Sequence, residues 1–111
     1  MASRQGTVDY LIEQMAGAGA VSARKMFGEY GVYCGGRMVA LVCDDTLFLK
    51  PTPGVRARIG AVEERPPYPG AKPCLVVPAE RWDDAEWLAD LVRTAAAELP
   101  EPARKRTRAR R

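Results

Sequence analysis

Histidine is absent from the 111 residues, and that absence removes more chemistry than any other feature of composition. Without an imidazole there is no Ser-His-Asp or Cys-His couple and no histidine-based zinc site. Cysteine is scarce as well. Cys34, Cys43 and Cys74 stand far apart with no CxxC spacing, and an odd count favours free thiols. No apolar run reaches the length of a membrane span, and MASRQGTVDY has no apolar core of signal-peptide length. A cytoplasmic address and reduced cysteines are therefore expected. The glycines of GEYG and CGG do not form GxxxxGK[ST], so no phosphate loop is read there. No catalytic, metal or cofactor residues are assigned.

What charge there is lies unevenly. Residues 1–100 hold 11 Lys and Arg against 13 Asp and Glu, a net of −2. Residues 101–111 hold Arg104, Lys105, Arg106, Arg108, Arg110 and Arg111 against Glu101, a net of +5. The chain divides into a mildly acidic body, 1–100, and a basic tail, 101–111. The tail has no apolar periodicity, and disorder is expected of it. It alone has an electrostatic reason to seek nucleic acid, with its six cations as the candidate contacts, and the other reading of it is a solubilising or incidental tail. No aromatic interleaves them, so stacking on single strands is not expected.

The remaining residues are organised around Arg24–Lys50. Gly35-Gly36 and Asp44-Asp45 each separate two β-prone runs, as two-residue hairpin turns do, the glycine pair being the stronger signal. A short strand over Met26-Phe27-Gly28 precedes them, and the runs then form an antiparallel meander. With a flat register Tyr33 lies opposite Met38, Val42 opposite Leu47 and Ala40 opposite Leu49. One face then carries Gly31, Tyr33, Met38, Ala40, Val42, Leu47 and Leu49, and helices should cover it. The other carries Tyr30, Val32, Cys34, Arg37, Val39, Leu41, Cys43, Thr46, Phe48 and Lys50. Cys34 and Cys43 share that second face but stand roughly 20 Å apart, beyond disulfide reach.

The run MFGEYGVYCGGRMVALVCDDTLFLK resembles the N-terminal domain of the TfoX/Sxy family. Met26-Phe27-Gly28, Tyr30-Gly31, Tyr33, the glycine turn, Ala40-Leu41, Asp45-Thr46-Leu47 and Leu49-Lys50 carry the likeness, which extends more weakly over residues 8 to 98. Glu29 departs from the pattern, since a small residue is usual there. The likeness is to the stand-alone short form. It implies the family fold and a role near competence or transcriptional control. The excess of Ala, Arg, Gly and Pro suggests a GC-rich bacterial genome.

Helices flank the meander. Thr7 can cap a first helix whose stripe is Val8, Leu11, Ile12 and Met15, ended by Gly17 and Gly19. Thr52 and Pro53 suit the N-cap and first position of a second, running to Val62 and burying Val55, Ile59 and Val62. Residues 65–73 form a proline-rich loop in which Tyr68 is either a packing anchor, the favoured reading, or an exposed contact. Cys74–Val77 makes a brief strand. Asp83 and Glu86 form a capping box, with Trp82 and Trp87 as the hydrophobic staple, before a last helix with Leu88, Leu91, Val92, Ala95 and Leu99 inside. The fold class is α+β: two layers, an antiparallel meander with helices on one face, in the order α, three or four strands, α, β, α.

Two kinds of function fit these residues. A binding or regulatory module would act through protein contacts, with nonspecific nucleic-acid contact through the tail. Val32, Val39, Leu41 and Phe48, together on the second face, are the interface candidates, and a homodimer or a protein partner is expected to cover them, the competing idea being that the final helix or the proline-rich loop folds over that face. The alternative is a small enzyme or ligand-binding protein. Of the remaining polar residues, Lys25 and Lys50 are candidate ligand contacts. Asp44-Asp45 reads as a turn, Asp83-Asp84 as a helix start and Glu63-Glu64 as a solvated helix end.

Overall fold

The structure is a computed structural model, in which residues 3–26 and 28–100 are described. Six strands, β1 (Val21–Met26), β2 (Glu29–Cys34), β3 (Arg37–Cys43), β4 (Thr46–Leu49), β5 (Glu64–Arg65) and β6 (Cys74–Val77), form one sheet in the order β1-β2-β3-β4-β6-β5. Every adjacent pair is antiparallel. Helices α1 (Gln5–Met15), α2 (Pro53–Ile59) and α3 (Ala85–Glu98) complete an α+β fold with the expected element order. The helices cover one face of the sheet. Val8, Leu11 and Met15 of α1, Val55 and Ile59 of α2, and Leu88, Leu91, Val92 and Ala95 of α3 form one core with it.

Both hairpins turn where the residues indicate. Gly35 and Gly36 have φ of 62° and 84°, and Asp44 and Asp45 have φ of 53° and 54°. Positive φ at both central residues gives a tight turn the twist that antiparallel strands need. Asp is strained there, so the second turn needs support from outside itself.

The register is not flat. Tyr33 pairs with Met38 as expected, but Val32 pairs with Ala40 rather than Val39. Val39 is the extra residue of a β-bulge, and an extra residue exchanges the faces on either side of it. Ala40, Val42, Leu47 and Leu49 do face the helices. Tyr33 and Met38 do not, Met38 instead packing with Leu41, Cys43, Phe48 and Cys74 on the opposite face. Conversely, Tyr30, Val32, Cys34 and Val39, expected on that second face, lie in the helix-covered core. Arg37 follows them, donating from Nη1 to the Ala96 carbonyl at 3.1 Å.

Other boundaries move for local reasons. α1 starts before Thr7, with Arg4 at its N-cap. Arg4 is fixed there by its backbone N–H and its Nε, which both donate to the Asp45 carboxylate, at 2.9 and 3.1 Å. α2 begins as expected, Thr52 accepting from the Val55 N–H. It stops at Ile59 because Gly60 turns to φ 78°. Asp84, not Asp83, caps α3 by accepting from the Trp87 N–H at 3.2 Å. Asp83 accepts instead from the Tyr10 hydroxyl, which ties α1 to the approach of α3. The pair β5–β6 is unannounced by the sequence: β5 has two residues, both exposed.

Candidate functional site

Hollows occur on several sides of the domain, and two that adjoin lie on the sheet face away from the helices. Leu41, Cys43, Phe48 and Cys74 form a second, smaller core on it, with Met38 and Val76 at its margin. The proline-rich loop after β5 passes over this side. Two adjoining hollows of about 280 and 450 Å³ lie between loop and sheet, and both are lined by Met26, Leu41 and Tyr68. Gly31 makes the floor possible. A Cβ there would sit 2.9 Å from Met26 Sδ and 3.3 Å from both Met38 Cε and the Tyr33 ring. Tyr68 does not anchor the loop. It is 48% exposed, the one large exposed hydrophobic among the described residues, and it stands at the rim.

The two ends of the groove differ in charge. Glu29 and Cys43 close the smaller hollow, while Lys50 and Lys72 line the larger. Glu29 has structural work to do. Its Oε1 accepts from the Ser3 N–H and its Oε2 from the Asp44 N–H, both at 2.9 Å. Ser3 Oγ accepts from the Asp45 N–H at 2.9 Å, and the Ser3 hydroxyl bonds onward to Glu29. This network supports the strained Asp44-Asp45 turn. Burial pushes the Glu29 carboxyl up, but the donors from Asp44 and Ser3 outweigh it and hold the group below its ordinary value of 4.5.

A depressed carboxyl stabilises the fold above the unfolded-state value and loses that contribution as pH falls through the folded-state value. Glu29→Ala should therefore lower stability at neutral pH by about 1–3 kcal/mol, because two backbone donors lose their acceptor. Chemical denaturation across pH should show the gap to wild type closing below about pH 4.5. A gap independent of pH would assign the loss to packing instead.

The thiols are poor nucleophiles. Burial, then the charges around it, pushes Cys43 up to about 11. Burial likewise raises Cys34, against the Arg93 charge, and Cys74, against Lys50. All three are free and protonated at neutral pH. Among the described residues, no group of three or more His, Cys, Asp or Glu side chains could hold a metal ion. No described helix is long and apolar enough to cross a membrane.

The four interface candidates do not form a patch. Val32 and Val39 are fully buried beneath the helices, a consequence of the bulge. Leu41 and Phe48 remain on the second face, 6% and 1% exposed. The Arg65 guanidinium lies 5.2 Å from the centroid of the Phe48 ring. Lys25 is exposed on the sheet's edge strand, away from the groove lining. Arg104, Lys105, Arg106, Arg108, Arg110 and Arg111 lie outside the described residues. Sequence reasoning missed Lys72 and the two methionines of the groove. Met38 reaches the groove only because the bulge at Val39 exchanges the faces of β3.

Residues 13–99 match the TfoX N-terminal domain. The chain is also 34% identical over 102 residues to a protein of Spirochaeta aurantia described as an uncharacterized 12.7 kDa protein in the trpE 5' region, covering 92% of this chain and 88% of that one. An 87-residue match that takes in the meander, the groove-bearing face and the last helix leaves the conclusion plain: the chain belongs to the TfoX N-terminal domain family.

Proposed function

We propose that the protein is a non-enzymatic regulatory module that acts by binding. The observation that carries this reading is how the groove's one carboxylate and its thiols are engaged. Glu29 is spent on supporting a turn, and Cys43 and Cys74 are held as thiols. An enzyme would need a perturbed group free to exchange protons or attack substrate. The family supports the reading at a coarse level, as one of competence and regulatory modules and not a known enzyme family. On this reading protein contacts form around the Tyr68 loop, and the basic tail adds nonspecific attraction to nucleic acid.

Transcript profiling tests it. Deleting the gene should change a limited set of transcripts, and the wild-type chain should restore them. Tyr68→Ala should restore them poorly, since it removes the exposed aromatic without disturbing the core. Unchanged transcripts in the deletion strain, together with turnover of a metabolite by the purified protein, would sink the regulatory reading.

A further inference from the structure

The two hollows beneath the Tyr68 loop form an apolar trough with opposite charge at its two ends. From these features we infer a binding site for a small amphiphilic anion, an aromatic or medium-chain aliphatic body carrying one carboxylate or sulfonate. The body would lie on Met26, Met38, Leu41 and Tyr68, and the anionic head would sit between Lys50 and Lys72.

Size comes first. The hollows of about 280 and 450 Å³ share three lining residues, and together they reach the roughly 300–1,000 Å³ typical of small-molecule sites. The trough follows β3 from Cys43 towards Val39, whose carbonyl accepts from the Lys50 N–H at 3.0 Å. Four residues of strand at about 3.3 Å each give roughly 13 Å. That length suits a ligand with a body and a head.

Charge then orients the ligand. At the Cys43 end Glu29 is an ionised carboxylate whose oxygens already hold the N–H groups of Ser3 and Asp44. A second anion beside it would be repelled. Lys50 and Lys72 line the opposite end, and among the described residues neither has a carboxylate partner. Lys50 is half-buried and Lys72 exposed, which puts this end at the mouth of the trough. An ion pair formed at such a mouth is screened less than one on open surface. A neutral apolar ligand would gain the walls only, and a bare anion the lysines only.

The inference rests on the groove and not on the regulatory reading, so either can fail alone. The probes are 8-anilinonaphthalene-1-sulfonate, an apolar anion that fluoresces when shielded from water, and N-phenyl-1-naphthylamine, a similar ring system without charge. The folded protein should bind both saturably at about one site per chain, with decanoate displacing the sulfonate. Lys50→Ala combined with Lys72→Ala should weaken the sulfonate about tenfold and leave the neutral probe within about twofold. Tyr68→Ala should weaken both. Salt titration of the wild-type protein gives the same comparison without a variant: the sulfonate should weaken as salt rises and the neutral probe should not. Absence of saturable binding, equal loss of both probes in the lysine variant, or a dimer that excludes both probes until Tyr68→Ala dissociates it, would each overturn the proposal.

Discussion

Val32→Lys is expected to unfold the domain, whereas Tyr33→Gln, one residue along, should cost only about 1 kcal/mol. Val32 is fully buried in the apolar core that the sheet forms with the helices. A lysine there must either stay charged in an apolar core or give up its proton, and removes native packing in both cases. A loss of several kcal/mol is a large part of the stability of a small domain. Tyr33 is only half-buried on the other face, where Arg24 sits 5.0 Å from its ring centroid and its hydroxyl reaches Met26 Sδ at 4.0 Å. Losing that cation–π contact is a small effect. A flat register predicts the reverse order, with Tyr33 under the helices and Val32 open. Urea denaturation of the two variants decides between them, and a stable Val32→Lys would remove the bulge.

That pair of residues also shows how far the sequence could be read. The hairpins were legible because Gly35-Gly36 and Asp44-Asp45 are local signals, and a two-residue turn states its own position. The helix faces were legible because their stripes recur at helical spacing, with Val8, Leu11 and Met15 all buried as read. A bulge has no comparable signature. Val39-Ala40-Leu41-Val42 is a continuous apolar run, which fits a strand buried on both faces as well as a strand with one residue out of step. Only contact with α3 and β2 decides, and that is a tertiary fact. The cost of the missed residue was not local: it moved Tyr30, Val32 and Cys34 to the wrong face and created an apolar patch that the fold does not have. The groove was hidden for the same reason. A flat register puts Met38 under the helices, and the prolines of 65–73 allow their loop to fold over the second face without requiring it. Glu29 was visible as a departure from the family pattern. Its role in holding the Asp44-Asp45 turn needed Ser3, 26 residues away in sequence, to be brought beside it.

Removing residues 101–111 is expected to abolish DNA binding almost completely. Residues 1–100 carry a net charge of −2, so without the tail the domain repels a phosphate backbone at long range. The tail holds six cations within its last eight residues. If all six neutralise phosphates on duplex DNA, the released counterions give a log–log salt slope near −5. Affinity should then fall about a thousandfold between 50 and 200 mM salt. Binding should also be indifferent to sequence, because phosphate contacts fix position and carry no base information. The comparison is between the full chain and one ending at Pro100, titrated with duplexes of unrelated sequence at both salt concentrations. Pro100 is the right end point because Leu99 packs against the helix-covered core, and a shorter chain would confuse loss of charge with loss of packing. Equal binding by the two chains would give the nucleic-acid surface to the folded domain. A strong preference for one duplex would also exclude the tail as the sole contact, since a run of arginines reading only phosphates has no means of choosing.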